Sequence, residues 1–313
     1  MRYKDFAGRQ VSVIALGCDM FGSARPEALS YEMMDAYVEM GGNFLDTARL
    51  YGGGLSEKTV GKWVSLRHNR DDLVIGTKGG HPPIGRMNEG RLDRAELERD
   101  MSESLDALQM EGVDIYWLHR DDESRPVGDI LETLNLFVQR GYTKLLGASN
   151  WSAARMAEAN AYAAAHGMQG FYADQPQFSL AKQMIVEDPT LVQMDEAHYA
   201  FHAENKMPCV SFSSQAKGFF SKWAEGGEEA LNDKVRRRFL FPENMEIYEK
   251  LCKLSAETGY SVGALSLAYL TCQTKFDVFP IAGASSIKQI EALREAGDAV
   301  LTPEQVEWLR PFR

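Results

Sequence analysis

A chain of 313 residues with 44% hydrophobic and 25% charged residues has the balance of a folded globular protein and the length for one large core. Its formal net charge of −11 excludes nonspecific nucleic-acid binding, which needs a basic face. No apolar run approaches the roughly 18 residues of a membrane span, the opening MRYKDFAGRQVSVIALG lacks the pattern of a secretory signal, and Cys18, Cys209, Cys252 and Cys272 have no CxxC spacing, so a cytoplasmic protein with reduced thiols is expected.

Residues 2–6 and 10–14 alternate around the turn Ala7-Gly8-Arg9 and predict an N-terminal β-hairpin. Apolar strands and helical periods then alternate. Strands are expected at 13–17, 44–46, 73–77, 115–118, 144–148, 171–174, 209–212 and 278–281. A helix over 26–40 opens with Pro26 and stops at Gly41-Gly42, and one over 56–66 takes Ser56 as its cap. Further helices fit 93–108, 126–140, 152–166, about 189–204, 244–258, 262–273, 286–296 and 303–309. Eight strands in strict alternation with helices argue for a (β/α)8 TIM barrel with the N-terminal hairpin and an extra C-terminal helix. An open doubly wound sheet is the alternative. Without a repeat or a linker, residues 1–313 read as a single domain.

Barrel enzymes carry their chemistry at the C-terminal ends of the strands. Standing there are Asp46, Lys78, His119, Ser149, Asn150, Gln175 and the pair Phe212-Ser213, with Tyr51 five residues beyond Asp46. A phenol has an ordinary pKa of about 10, and an ammonium beside it favours the phenolate. Lys78 can supply that ammonium, Asp46 can hold it charged, and His119 can donate a hydrogen bond to a carbonyl oxygen. Together they make a general acid for an alkoxide as it forms. No side chain donates hydride, so a nicotinamide cofactor is required.

The order Asp46, Tyr51, Lys78, His119 on successive strand ends, with GASN, DQPQF and IAGASSIKQIEAL downstream, resembles the aldo-keto reductases across nearly the whole chain. The resemblance implies a (β/α)8 barrel and NAD(P)H-dependent carbonyl reduction or the reverse oxidation. It makes Tyr51 the proton donor, Asp46 and Lys78 its tuning pair, and His119 the substrate-orienting residue. It places Ser149, Asn150 and Gln175 at the carboxamide and Phe212 against the nicotinamide ring. Ser213, Gln215, Ala216 and Gly218 fall at the pyrophosphate, and Gly283, Ala284, Ser285 and Gln289 at the adenosine-phosphate end.

NADP is the family's more frequent cofactor. Here Ser285 and Ser286 stand where a lysine or arginine would pair the 2′-phosphate, with Lys288 and Arg236–Arg238 as possible substitutes, so dual use of NADH and NADPH is expected. Substrate contacts are expected from Phe21, Arg49, His81, Arg120 and Trp151, which favour a polar or sugar-like carbonyl or alcohol. No metal site is expected. His198 and His202 lack the glutamate of H-E-x-x-H and read as solvated or packing residues. Gly52, Gly53 and Gly54 read as a turn, and Lys234 with Arg236–Arg238 as a solvated loop. Two other functions use the same residues. One is a cofactor-binding regulatory subunit; the other is a Schiff-base aldolase using Lys78, which Asp46 opposes by keeping the amine charged. Neither a membrane nor a nucleic acid is expected as partner, and no pattern sets an oligomeric state.

Overall fold

The structure is a computed structural model and describes residues 1–311. In chain order its strands are β1 (Tyr3–Phe6), β2 (Arg9–Ser12), β3 (Ala15–Gly17), β4 (Phe44–Asp46), β5 (Val74–Gly79), β6 (Val113–Leu118), β7 (Thr143–Ser149), β8 (Phe171–Gln175) and β9 (Ile281–Ala282). Its helices are α1 (Glu27–Glu39), α2 (Leu55–Arg67), α3 (Arg94–Leu108), α4 (Val127–Gln139), α5 (Ala153–Ala165), α6 (Glu196–Asn205), α7 (Phe219–Gly226), α8 (Asp233–Phe239), α9 (Pro242–Thr258), α10 (Val262–Thr271), α11 (Ile287–Asp298) and α12 (Pro303–Leu309). The chain divides into two compact units, one of residues 16–39 and 43–175, the other of residues 1–15, 40–42 and from Pro176 onward.

In the first unit consecutive strands from β3 to β8 lie side by side and parallel, with helices between them in sequence. Parallel strands covered on both faces need continuous apolar runs, and β6 is buried at all six residues. Trp117 fills the space beside β7 because residue 147 is glycine. A Cβ there would lie 2.2 Å from the indole ring. Helix α4 buries Ile130, Leu131, Leu134 and Phe137 along one face, each side chain contributing about 1.5–3 kcal/mol. Asp93 starts α3 by accepting the Glu96 N–H at 3.0 Å, and Ser152 does the same for α5. Register then aligns the strand ends: Asp46 pairs with Gly17 and Gly76, Lys78 with Trp117, and Ser149 with Gln175.

One expected cap is absent. Helix α2 begins at Leu55, its cap position is the left-handed Gly54, and Ser56 lies buried inside the helix. The Ser56 hydroxyl donates to the Cys18 carbonyl at 2.6 Å and accepts from Thr47 at 2.7 Å. Those buried partners use the hydroxyl that a cap would have needed.

In the second unit β1 and β2 pair antiparallel, with Tyr3 opposite Ser12. Residues 209–211 and 277–281 form a parallel ladder, with the Cys209 N–H on the Asp277 carbonyl and the Ile281 N–H on the Ser211 carbonyl. The seventh and eighth expected strands are therefore present, but only as a bridge and the two-residue β9. Pro280, which has no N–H to donate, faces the other side, where its carbonyl accepts the Ala15 N–H at 3.0 Å. The helix expected from about 189 starts later, at Glu196, under the Asp195 cap. Pro189 disfavours helix at Asp188, whose carboxylate instead takes the Thr190 N–H and hydroxyl. The basic cluster is a helix and not a solvated loop. On α8, Arg236 pairs with Asp233, while Lys234, Arg237 and Arg238 share Glu187. His198 and His202 are buried on α6, and the His202 Nδ1 lies 2.8 Å from the Met207 carbonyl. The four cysteines are free. Among the described residues no helix is long and apolar enough to cross a membrane.

Candidate active site

Four residues of the first unit meet at the C-terminal ends of its strands. Asp46 ends β4, Lys78 lies one residue before the end of β5, and His119 follows β6 directly. Tyr51 opens a short turn after β4, held by its N–H on the Ala48 carbonyl at 3.0 Å. Gly52, Gly53 and Gly54 all have positive φ, so this turn requires the conformation that glycine adopts freely. Its approach is pinned to β5, with the Thr47 N–H on the Gly76 carbonyl and the Arg49 N–H on the Lys78 carbonyl.

Lys78 is 1% exposed and Asp46 2%. The Lys78 ammonium donates to Asp46 Oδ2 and, at 2.8 Å, to the Thr47 carbonyl. Its Nζ lies 4.9 Å from the centre of the Tyr51 ring, near enough for its charge to act on the phenol. Burial raises the Asp46 pKa against the opposing pull of Lys78 and Gln175. Burial alone would lower Lys78, but Asp46 and Tyr51 reverse this and raise it, so the ammonium stays charged. That opposes Schiff-base chemistry, which needs the neutral amine.

The phenol departs from the sequence expectation. Lys78 does pull the Tyr51 pKa down, yet burial and the Asp46 charge outweigh it and the net direction is up. Tyr51 is thus a protonated acid whose anion is stabilised by one ammonium. The Tyr51 ring meets His119 edge-on at 5.6 Å, and His81 meets His119 at 4.7 Å. Burial, then Lys78, His81 and Arg120, push His119 well below its ordinary value, so it is neutral near pH 7. Its Nδ1 is buried without a partner. A buried unpaired N–H is the costlier state, so the proton belongs on Nε2.

The expected carboxamide residues adjoin this cluster. Gln175 donates its amide Nε2–H to Asp46 Oδ1 at 3.0 Å, and Ser149 donates its hydroxyl to the Gln175 backbone carbonyl at 2.7 Å. Asn150 donates to the His119 carbonyl and to Ser149 Oγ, and its φ of 63° is left-handed. The Gln175–Asp46 bond spans 129 residues of sequence, and no local pattern announces it. Nor does one announce the Thr47 carbonyl that shares Lys78.

The expected substrate residues differ in setting. His81 faces His119 as described, and Arg49 is ion-paired with Glu103. Arg120 is buried and donates to the His119 carbonyl at 2.8 Å. Phe21 and Trp151 are at most 1% exposed, Trp151 packing edge-on to Phe171 at 5.1 Å and under Arg155. A cavity of about 400 Å3 beside Lys78 is lined by Arg49, Leu50, His81, Arg91, Asp100 and Glu103. Arg91 was not among the residues expected from sequence; it donates to the His81 carbonyl and pairs with Asp100.

In the second unit Phe212 bridges to Gln177, and residues 213–218 form a tight loop. Ser213, Ala216 and Lys217 are left-handed there although none is glycine, and Gly218 continues the turn. Such strain concentrates at ligand clamps, and successive backbone N–H groups in these conformations make anion-binding hollows. Gln215 accepts the Gly283 N–H at 3.0 Å, which ties this loop to residues 283–289. There Gln289 Oε1 accepts both the N–H and the hydroxyl of Ser285, while Ser286 caps α11 and Ala284 is buried.

The folding pattern and this polar cluster define an oxidoreductase of the α/β barrel class. The chain belongs to the aldo/keto reductase family: the model of that family matches residues 13–312. Norsolorinic acid reductase B of Dothistroma septosporum is 28% identical, over 98% of this chain and 80% of its own length. Aryl-alcohol dehydrogenase GME11368 of Pestalotiopsis microspora is 27% identical, over 96% of this chain and 78% of its own. The solved structure of the thermostable aldo-keto reductase Tm1743 with the inhibitor epalrestat superposes with a TM-score of 0.73, at 22% identity, over 99% of this chain and 98% of that one. This last likeness carries the fold, a (β/α)8 barrel. Family members use nicotinamide cofactors and act on small carbonyl compounds or alcohols.

Proposed function

We propose that Tyr51 is the proton donor in an NAD(P)H-dependent reduction of an aldehyde or ketone, or the acceptor in the reverse oxidation. The observation that carries this reading is the buried Lys78 ammonium, ion-paired with Asp46 and 4.9 Å from the centre of the Tyr51 ring. The acid gives its proton to the forming alkoxide, and the phenolate left behind faces a fixed positive charge. Neutral His119 donates Nε2–H to the same oxygen and orients it. A bound nicotinamide supplies the hydride.

The donor set suits that cofactor. A carboxamide needs both donors and acceptors, and Ser149, Asn150 and the Gln175 carbonyl offer both. The Ser213–Gly218 loop suits a pyrophosphate, with Phe212, Gln215 and Ala216 as further contacts. Residues Gly283, Ala284, Ser285 and Gln289 suit the adenosine end. Arg236, Arg237 and Arg238 are already paired with Asp233 and Glu187, which supports dual use of NADH and NADPH within about tenfold, or 1.4 kcal/mol. Ser285→Arg then shifts preference towards NADPH.

We infer a polar, sugar-like carbonyl as substrate, on the side chains of Arg49, His81, Arg91, Asp100 and Glu103 around the cavity beside Lys78, with Arg120 on the His119 carbonyl. The name of the aryl-alcohol dehydrogenase relative points instead to aromatic alcohols. The family match over residues 13–312 supports one working domain, and the free cysteines support a reducing, cytoplasmic setting. The test is turnover of hydroxylated and aromatic carbonyls with each cofactor, alongside quenching of tryptophan fluorescence. A kcat/KM higher for hydroxylated carbonyls is expected. Faster aromatic substrates would overturn the substrate class, and absence of quenching and of any turnover would overturn the reductase reading.

A further inference from the structure

The Asp46 carboxylate has two side-chain partners, one on each oxygen. Lys78 takes Oδ2 and the Gln175 amide takes Oδ1 at 3.0 Å. Asp46 and Gln175 are at most 2% exposed. An ionised carboxylate only accepts hydrogen bonds, so the Gln175 NH2 must face it and the amide carbonyl must face away. The amide is itself fixed, because Ser149 holds the Gln175 backbone carbonyl. With both oxygens engaged the carboxylate cannot turn about its Cβ–Cγ bond without losing a partner. Its aim at Lys78 is therefore set from the far strand, β8.

We propose that Gln175 is a positioning residue for the proton donor: by holding Asp46 it fixes the Lys78 ammonium against the Tyr51 hydroxyl, whatever contact it makes with a cofactor. The proposal rests on Tyr51 being the donor. Without the amide, one oxygen of a buried carboxylate has no partner, and Asp46 keeps its proton to higher pH. Once Asp46 is neutral, Lys78 keeps its charge but loses the carboxylate that aims it, and the ammonium is no longer held against the Tyr51 hydroxyl. The titratable groups facing Asp46 are Lys78, Tyr51, Asp19 and Cys18. None of these can replace the amide as a neutral donor to Oδ1 while keeping its own role or position.

Two variants separate the role from simple packing. Gln175→Met keeps the length and removes the donor. Gln175→Glu restores a donor to Asp46 only when its own carboxyl is protonated. The first readout is the carboxyl 13C shift of Asp46, assigned with Asp46→Asn, titrated in cofactor-free protein. The second is the pH profile of kcat at saturating cofactor. In Gln175→Met both the Asp46 midpoint and the acid limb of kcat should rise by about one pH unit, the worth of one hydrogen bond to a charged group. In Gln175→Glu, kcat relative to wild type should fall as pH rises and the two carboxylates repel. An unmoved Asp46 midpoint, or a moved midpoint with an unmoved kcat limb, would overturn the positioning role and leave the donor assignment standing. Full turnover in Tyr51→Phe would instead remove the donor assignment itself.

Discussion

Two carboxylates lie buried in the same parallel sheet, at opposite ends of its strands, and burial treats them differently. Asp114, the second residue of β6, is 3% exposed and Asp46, the last residue of β4, 2%. Asp114 receives Arg70 and the Ile75 N–H on Oδ2, each at 2.9 Å, and Lys144 on Oδ1 at 2.8 Å. Asp46 receives one cation and one neutral amide. Desolvation is the largest influence on both, yet the partners of Asp114 overcome it and hold its pKa below the ordinary value, while Asp46 ends above. The cations differ too. Lys144 is 66% exposed and keeps much of its hydration, whereas Lys78 is 1% exposed. A carboxylate that serves only the fold can be given every partner it needs. One whose cation also lies against a phenol cannot, and the second arrangement sits at the C-terminal end of the strands, where barrel enzymes carry their chemistry.

The contrast is sharpest in activity. Tyr51→Phe should lower kcat by about 10²–10⁴-fold, the range for a positioned general acid, with the urea midpoint nearly unchanged. Steady-state kinetics on wild type and variant decide it, and unaltered kcat would mean that the proton comes from elsewhere. Lys78→Met should reduce both activity and stability. It strands Asp46 in the interior, a loss of about 3 kcal/mol or more, partly relieved when Asp46 takes up a proton. Adding Asp46→Asn to Lys78→Met should recover stability without recovering kcat. If urea unfolding shows the double variant no more stable than the single, the Asp46 charge is not what burdens the lysine variant.

Much of this was legible in the sequence, for physical reasons. Strand ends such as Asp46 and His119 stand out because an apolar run, Phe44-Leu45 or Ile115–Leu118, stops abruptly at a charged or polar side chain. Helix starts at Asp93 and Ser152 stand out because their caps act over three residues. What failed did so where a nonlocal partner outbid the local signal. Ser56 looks like a cap but spends its hydroxyl on Cys18. The segment around 189 looks helical, yet Asp188 and Pro189 make a turn. The Tyr51 pKa could be read from its partners but not from its burial, which sequence does not reveal. Arg70, Lys144 and Asp114 are scattered along the chain, so their cluster at the other end of the sheet carries no motif.

The smallest effect tests the comparison most directly. Asp114→Asn should leave kcat within about twofold and cost about 2 kcal/mol near neutral pH, through loss of hydrogen bonds to charged partners. The pH dependence separates charge from packing. Asp114 has a folded pKa below its unfolded one, so its contribution is complete above the ordinary value of 3.8 and disappears as pH falls through the folded value. For Asp46 the sign is reversed. Its folded pKa is raised, so it is a burden above that value, and acid relieves the burden. Urea unfolding from about pH 7 down to about pH 3 should therefore show the gap between wild type and Asp114→Asn narrowing below about pH 4, by at most about 1.4 kcal/mol per pH unit. Over the same range Asp46→Asn should change in the opposite sense, losing whatever advantage it has over wild type as Asp46 protonates. A gap for Asp114→Asn that stays constant to the lowest pH would mean that the side chain matters there for its shape alone, and the two carboxylates would no longer differ in the way their partners imply.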